Sequence, residues 1–368
     1  MIHARSAGWR NLPASAFEEI APAWDELNDT GPHSPLLTAT FTGELLRHFG
    51  TGQEQIAVVD GGDHLRLGCV VAPGRTTTWN TFQPSQAPIG IWLQRAPAGT
   101  PLDLESVDSL IPTCGALTAA LGISQIDPDL VGRPAGASRV IVDDYIQTAR
   151  ISIEGSFDEY WSARGKNLRA NMKKQHNKLD SEGVVPHLTV ITDESQVSAA
   201  IAIYGRLEAA SWKASGGTAV TADNLQGRFY TSLLERCCAL GAGRIYRYDY
   251  NDKTVAMDLC VSHAGTMVIL KTAFDESIRT TSPAFLMRRA YLPEIFESKE
   301  FKRIEFYGRV MDWHTKWTDE MRTLYHVTAF RWAAAAGLAR WRRDWSRNPT
   351  AAEQAPSPKP PLLSADSD

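Results

Sequence analysis

Cysteines are few in this sequence, and their spacing does not suit a metal site. The chain of 368 residues has five of them: Cys69, Cys114, Cys237, Cys238 and Cys260. An odd number of cysteines without a CxxC pair argues against a disulfide framework and against a zinc site. We therefore expect reduced, mostly buried thiols in a cytoplasmic protein that binds no metal.

Long apolar runs and a strong charge bias are also missing. No stretch of 18 apolar residues occurs, so no transmembrane segment is expected. Residues 1–22 lack the apolar core that a signal peptide needs. The net charge is −4, which gives no general attraction to nucleic acid or to anionic membranes. What remains is a globular protein whose length suggests two domains.

Helical and strand patterns alternate along the chain. Helices are expected over 15–29, 40–49, 157–181, 194–212, 228–240 and 282–298, with Gly165 dividing the third and Pro293 kinking or ending the last. Alternating apolar residues predict a hairpin over 56–73, three strands over 244–275, and shorter strands over 303–307 and 324–332. The recurring order of helix and hairpin predicts an α/β (α+β) fold of two related domains. We place them at residues 1–150 and 151–345, each with a mixed, mostly antiparallel sheet flanked by helices.

The end of the chain changes in composition. Residues 346–368 are rich in proline, serine and alanine, which predicts a disordered tail. The preceding segment, AAAAGLARWRRDW, predicts a terminal helix in which four arginines surround three tryptophans: Arg331, Arg340, Arg342 and Arg343 with Trp332, Trp341 and Trp345. This helix suits contact with a membrane surface or a partner, or simple packing of its tryptophans on the domain.

One connection between a strand and a helix has the features of an anion site. In residues 271–290, KTAFDESIRTTSPAFLMRRA, a strand leads through a polar loop into a helix. Ser282 is the predicted N-cap, and Pro283 suits the first turn. Unsatisfied amides at a helix start favour an anion. The same residues also suit an ordinary connection in which Ser282 caps its own helix.

The second half resembles the GNAT acyltransferase superfamily, in particular its two-domain branch of FemAB-type, CelD-like and BioF2-like proteins. The resemblance is carried, in order, by FDEYWSARGKNLRANMKKQHNKL, EAASWKASGG, the strands of 244–275, TTSPAFLMRRAYLPEIF and YGRVMDWHTKW. The sequence departs from the family pattern at Ala284, where glycine is usual, and at Thr315, where tyrosine is usual. The signature Arg/Gln-x-x-Gly-x-Gly/Ala is absent. Residues 1–150 fit only a degenerate first GNAT-like domain.

The resemblance implies an acyl-CoA-dependent N- or O-acyltransferase, with two GNAT-like domains in tandem and acetyl-CoA or another acyl-CoA as co-substrate. The acyl-CoA would lie between two splayed central strands, with its pyrophosphate on the loop 279–285. The implied cofactor-binding residues are Arg279, Thr280, Thr281, Ser282, Ala284, Phe285 and Arg288. Hydroxyls and first-turn amides would bond the phosphates, and the arginines would neutralise their charge.

Direct acyl transfer needs a base, an acid for the leaving thiolate and donors for the oxyanion, but no nucleophilic serine or cysteine. Candidate bases are Asp258, whose flanks are apolar, and Glu208. The remaining catalytic candidates are Lys213 and Lys316 as anion ligands and His314 and Tyr307 as acid or base. Trp161 and Arg164, at the start of the basic helix, are further site candidates. Each also has a plain structural interpretation: Asp258 on the solvent face or paired with a lysine, His314 structural, and the lysines solvated.

Two other functions stay open. Fem-type relatives use aminoacyl-tRNA, and seven basic residues lie within 164–178. The acidic chain and the absence of the coiled-coil arm typical of that branch argue against nucleic acid. The departures at Ala284 and Thr315 are also compatible with an inactive binding or assembly protein. At family level, the acceptor is a small molecule or glycan in polysaccharide, envelope or small-molecule biosynthesis.

Overall fold

The computed structural model describes residues 8–209, 220–221, 224–278 and 280–347, which form thirteen β-strands and ten α-helices. The first half contains β1 (Trp9–Pro13), α1 (Phe17–Asp29), α2 (Ala39–Phe49), β2 (Gln55–Asp60), β3 (Leu65–Pro73), β4 (Thr78–Thr81), β5 (Trp92–Gln94), α3 (Leu104–Cys114), β6 (Ala120–Ile126) and β7 (Val140–Ser152). The second half contains α4 (Phe157–Ala163), α5 (Lys166–Ser181), β8 (Pro186–Ile191), α6 (Val197–Ala209), α7 (Leu225–Ala239), β9 (Gly243–Tyr250), β10 (Lys253–His263), β11 (Thr266–Phe274), α8 (Pro283–Ser298), β12 (Arg303–Phe306), α9 (His314–Trp317), β13 (Met321–Phe330) and α10 (Ala333–Arg347).

The two halves repeat one arrangement. The series β2, β3, β4, α3, β6, β7 in the first half corresponds to β9, β10, β11, α8, β12, β13 in the second. In each half the strands on either side of the central helix are parallel: β4 pairs with β6, and β11 with β12. The remaining strand pairs are antiparallel. The predicted tandem α/β fold with mixed, mostly antiparallel sheets is therefore confirmed.

The last strands of the two halves are exchanged. β7 pairs with β12 of the second half, whereas β13 pairs with β6 of the first. Because β7 and β13 also pair with each other, all the main strands form one continuous sheet, in the order β1-β2-β3-β4-β6-β13-β7-β12-β11-β10-β9-β8. The domain boundary predicted at residue 150 falls within β7.

Helices cover both faces of the sheet. On one face α1, α2, α6 and α7 bury a core that spans both halves and includes Trp24, Tyr204 and Phe229. On the other face, α4, α5 and α8 cover the second half, and α3 covers the first. Since α6 and α8 pack on opposite faces of the same strands, any opening between those strands is bordered by both helices.

Glycines and prolines act as the sequence predicts at some boundaries only. Gly165 separates α4 from α5, and Gly241, with φ of +69°, follows α7 in the left-handed region. Pro293, in contrast, does not end its helix, because α8 continues to Ser298. Burial of Leu292 and Phe296 on either side of Pro293 holds the helix against the sheet despite the missing backbone donor.

The predicted C-terminal tail lies almost entirely outside the described residues. The expected tail from residue 346 lies, beyond Arg347, outside the described residues. Within the described ranges, no helix combines the length and apolar character needed to cross a membrane.

Candidate functional site

The strands β11 and β12 separate soon after they meet. Only Thr266, Met267 and Val268 of β11 pair with β12, although β11 continues to Phe274. A β-bulge lies just beyond the paired region: Leu259 opposes Lys271 and Cys260 opposes Ile269, so Leu270 has no counterpart on β10. A bulge bends and twists its strand. The result is a gap in the middle of the sheet.

A cavity of about 670 Å³ occupies this gap. Glu208 of α6 lines it from one face of the sheet, and Phe285 and Arg288 of α8 line it from the other. Thr272 and Trp313 complete its central wall. Because its lining comes from both faces, the cavity passes through the sheet.

Arg288 is held at this cavity by Asp258. Its Nη2 and Nε atoms lie 3.1 and 3.2 Å from the two carboxylate oxygens, and Tyr291 Oη donates to the same carboxylate at 2.9 Å. Burial alone would lower the pKa of Arg288, but Asp258 and Tyr291 together outweigh burial and raise the pKa above its ordinary value. The guanidinium, 4.7 Å from the Trp313 ring centroid, therefore stays charged. Because Asp258 is the counter-ion of the buried Arg288, these contacts favour a positioning role over the predicted role as base.

The start of α8 is occupied by protein groups rather than left open. Ser282 was predicted to cap α8, but its side chain forms no capping hydrogen bond. Its backbone N–H donates instead to Gln175 Oε1 at 2.8 Å. Thr281 Oγ1 lies 2.9 Å from the hydroxyl of Tyr250. The N–H groups of Phe285 and Leu286 both donate to the carbonyl of Ser282, at 2.9 and 3.0 Å.

The rest of the predicted phosphate loop offers less than the sequence suggests. Thr280 is exposed, Ala284 is buried in the wall of the large cavity, and Arg279 lies outside the described residues. Arg288 is committed to Asp258. Most of the predicted donors therefore have partners in the protein, and an anion needs other ligands.

A second cavity, of about 520 Å³, adjoins the first and has a cationic lining. It lies between the start of α5, with Lys166 and Asn167, and the start of α8, with Lys316 of α9 at its side. The first turn of α5 contains no acidic residue, and its N-cap Gly165 supplies no capping side chain. Two helix N-termini and two lysines create a positive local field that favours an anion. Ser282 and Phe285 line both cavities, which are therefore neighbours.

Glu208 lies at the other end of the large cavity, in the layer formed by α6. Its side chain is buried and accepts the N–H of Val220 at 2.7 Å, with Tyr204 Oη at 3.4 Å. A carboxylate at this end of a cavity that crosses the sheet is suitably placed to take a proton from an acceptor entering there. Lys213, predicted beside it, lies outside the described residues.

The predicted acid–base residues His314 and Tyr307 do not line either cavity. His314 stacks on Trp313 with ring centroids 3.5 Å apart, and its Nδ1 accepts the N–H of Met311. Burial lowers the pKa of His314 to about 4, so it is neutral at pH 7. Tyr307 is tied to Asp127 by a hydrogen bond of 2.7 Å, and burial raises its pKa well above the ordinary value.

The basic-helix candidates are structural neighbours of α9. Arg164 Nη1 donates to the backbone carbonyl of Trp317 at 2.9 Å. The ring of Trp161 packs near the ring of Trp317, with centroids 6.1 Å apart. Neither of these residues lines a cavity. Lys166, two residues after Arg164, lines the smaller one.

A buried charged cluster lies where the two halves of the sheet meet. Arg322 of β13 donates to Asp127 at 2.7 Å and to Glu305 of β12 at 2.8 Å, and Arg303 is 3.6 Å from Glu305. Burial, with the negative charge of Asp127 adding to it, raises the pKa of Glu305 to about 7 against the opposing pull of Arg322. The cluster therefore contains a carboxyl group that titrates near neutral pH.

The Glu305→Gln variant is expected to gain stability relative to wild type as pH rises. Because the folded-state pKa of Glu305 lies above its ordinary value of 4.5, its stabilising contribution is complete below pH 4.5 and is lost as pH rises through about 7. Glutamine cannot ionise, so the difference should grow by roughly 3 kcal/mol between these limits. Urea unfolding at several pH values measures it. A difference that stays constant over this range would contradict the assignment.

The family comparison concerns the second half of the chain. Residues 166–315 match the family model of the acetyltransferase (GNAT) domain. The chain contains a GNAT acyltransferase domain. The matched region runs from the start of α5 into α9 and includes every residue that lines the large cavity. Comparison with curated protein sequences gave no match.

Solved structures share the fold over most of the chain, including much of the part outside the GNAT match. The C-terminal domain of a putative lysylphosphatidylglycerol synthetase from Agrobacterium fabrum aligns with a TM-score of 0.54 and 11% identity, covering 89% of this chain and 96% of that one. FemX aligns with a TM-score of 0.55 and 8% identity, over 88% and 98% of the two chains. A conserved protein of unknown function from Bacteroides thetaiotaomicron gives 0.53 and 12%, over 88% and 99%. At these identities the likeness concerns the fold.

In its described residues, the first half differs from the second at the start of its central helix. Its central helix, α3, begins at Asp103, whose carboxylate accepts the N–H groups of Glu105 and Ser106 at 3.1 and 3.3 Å. A carboxylate at this position fills the helix start with negative charge and disfavours a second anion. The corresponding helix α8 has no acidic residue in its first turn.

Sequence reasoning missed several residues of the GNAT site. Gln175 and Tyr250 reach the start of α8 from 107 and 31 residues away, and no local pattern signals such contacts. Lys166 was visible only as one charge in the basic helix. Its position directly after the helix break at Gly165 was the available signal, because the first residue of a helix lies beside its unsatisfied amides.

Proposed function

We propose that this GNAT protein transfers an acyl group from acyl-CoA to an amino or hydroxyl acceptor. The observation that carries the proposal is the pair of adjoining cavities. The smaller has the positive charge that phosphates require, from Lys166 and Lys316, and the larger passes through the sheet beside the unpaired part of β11. A carrier with anionic phosphates at one end and a narrow thioester arm at the other suits both cavities together.

The proposed reaction is a direct transfer. The acceptor nitrogen or oxygen attacks the thioester carbonyl, its C–N or C–O bond forms as the C–S bond breaks, and CoA leaves as a thiolate that takes up a proton. Glu208 is the proposed base, because it lies in the cavity on the face opposite α8, where an acceptor can approach the carbonyl. Arg288 supplies a fixed positive charge on the other side, held by Asp258.

A second carrier, aminoacyl-tRNA, is favoured by one observation. The basic residues next to the smaller cavity are exposed rather than buried in ion pairs of the core: Lys166, Arg169, Lys173 and Lys174 of α5. An exposed basic helix suits a polyphosphate backbone. Both carriers present phosphate to the same end of the site, so the chemistry of transfer would be shared.

A cytoplasmic location suits either carrier. All five cysteines are unpaired and buried. Thiols in this state are typical of proteins in a reducing compartment.

Thermal stability measured with candidate carriers tests the proposal. Acetyl-CoA or a longer acyl-CoA at millimolar concentration should raise the melting temperature, because a ligand that binds only the folded state stabilises it by mass action. The melting temperature is also measured with deacylated and with aminoacylated tRNA. A shift with aminoacyl-tRNA alone would favour the second carrier, and no shift with either would contradict acyl transfer at this site.

A further inference from the structure

The outward face of α10 is apolar. Leu338 and Trp341 are 50% and 56% exposed on this helix, and Trp332, just before it, is 51% exposed. The inward face is attached to the sheet by polar groups: Arg340 Nη2 donates to the carbonyl of Val140 at 3.1 Å, and Arg343 pairs with Asp143 at 2.8 Å. A surface helix of a globular protein normally directs its apolar side inward. In α10 the large apolar side chains lie outward instead, although the small Ala336 is buried on the inward face.

A neighbouring turn extends this surface. In the turn of residues 115–118, Leu117 is 79% exposed. Arg331 joins the turn to the start of α10, because its Nη1 donates to the carbonyl of Ala116 at 2.8 Å and its N–H to the carbonyl of Ala119 at 2.9 Å. Leu117 thus lies near the start of α10, and Leu117, Trp332, Leu338 and Trp341 are together called the apolar end surface below.

The apolar end surface has a basic rim. Residues 331–344 contain four arginines and one acidic residue, Asp344. Because Arg340 and Arg343 attach the helix to the sheet, the rim consists of Arg331 and Arg342. The guanidinium of Arg331 lies 5.4 Å from the ring centroid of Trp332, and Arg342 is exposed. The nearby carboxylate of Asp143 is paired with Arg343. The local charge is therefore positive although the whole chain is acidic.

We propose that the apolar end surface binds the surface of a membrane containing anionic lipids. Tryptophan favours the boundary between headgroups and acyl chains, leucine contributes apolar burial there, and arginines at the rim attract lipid phosphates. A contact between two copies of the chain is less compatible with this charge pattern, because an isologous interface would bring the same arginines against each other. The protein would lie on the membrane without crossing it.

Co-sedimentation of the full chain with vesicles tests this assignment. Vesicles of phosphatidylcholine alone are compared with vesicles that also contain phosphatidylglycerol, at low and at high salt. We expect binding to the anionic vesicles that weakens with salt. Leu117→Asp together with Leu338→Asp should lower the partition coefficient at least about tenfold, since two leucines lose their apolar transfer. Leu240→Asp, which alters a leucine 70% exposed at the end of α7, is the matched control and should bind as wild type does.

Three results would overturn the proposal. The first is the absence of wild-type binding to anionic vesicles, and the second is an equal loss of binding in the Leu240→Asp control. The third comes from sedimentation velocity in the absence of lipid. A wild-type dimer that the Leu117→Asp, Leu338→Asp variant dissociates, without vesicle binding, would make the apolar end surface an interface between copies. Melting temperatures close to wild type establish that both variants fold.

Discussion

Replacing Asp258 with alanine is expected to lower the free energy of unfolding by about 3–5 kcal/mol. The change leaves Arg288, whose side chain is 3% exposed, without its counter-ion in the core beside the large cavity. It also removes the acceptor of the Tyr291 hydroxyl. Removing one partner of a buried ion pair costs far more than the pair contributes, because the remaining charge is desolvated without compensation. Urea unfolding measures the loss.

An exposed ion pair provides the matched control. Asp60 pairs with Arg10 at 3.0 Å, but their side chains are 50% and 46% exposed, so solvent screens the interaction. Asp60→Ala should cost less than about 1 kcal/mol. If Asp258→Ala lost no more stability than Asp60→Ala, Arg288 would not be held in the way described, and its fixed charge at the cavity would need another cause.

Reversing the charges of Lys166 and Lys316 together is expected to weaken acetyl-CoA binding at least about a hundredfold. Hydrogen bonds to charged groups contribute about 1.5–3 kcal/mol each, and the two lysines that line the smaller cavity supply its positive side chains. Lys166→Glu removes a cation at the start of α5, and Lys316→Glu removes one on α9. Isothermal titration calorimetry with acetyl-CoA measures the change in affinity.

The control makes the same change of charge on the same helix. Lys173→Glu with Lys174→Glu alters two exposed lysines of α5 that do not line the cavity. If the carrier is acyl-CoA, the affinity of this variant for acetyl-CoA should be close to that of the wild type. For a tRNA carrier both double variants should weaken binding, because a polyphosphate backbone contacts more of the helix. Equal losses of acetyl-CoA affinity in both variants would indicate a general field effect and contradict a phosphate site in the smaller cavity.

Most helices and the strands of 56–73 and 244–275 follow from local patterns in the sequence, but β1, α3, β6, β7 and β8 were not predicted, and neither was the final pairing of the strands. Alternation predicted both hairpins, and the helical periods predicted the helices around them, because each signal lies within a short window. The exchange means that β7 pairs with β12 and β13 pairs with β6, and each of these contacts joins strands from different halves of the chain. Neither strand carries a residue pattern that selects its partner.

The site shows the same division. The connection from β11 to α8 was identified from Ser282, Pro283 and the order of elements, and it borders both cavities. Serine is a common N-cap residue, but the backbone N–H of Ser282 donates to Gln175, which is 107 residues away in the sequence. The two lysines of the smaller cavity are 150 positions apart, so no spacing connects them.

The structure of the protein with a bound non-hydrolysable acyl-CoA analogue tests the central claim most directly. The account predicts phosphates within hydrogen-bond distance of Lys166 and Lys316, and the thioester position in the gap between β11 and β12, with Glu208 and Arg288 on opposite sides of it. Phosphates bound away from the smaller cavity, or an acyl group outside the gap between the strands, would contradict the account.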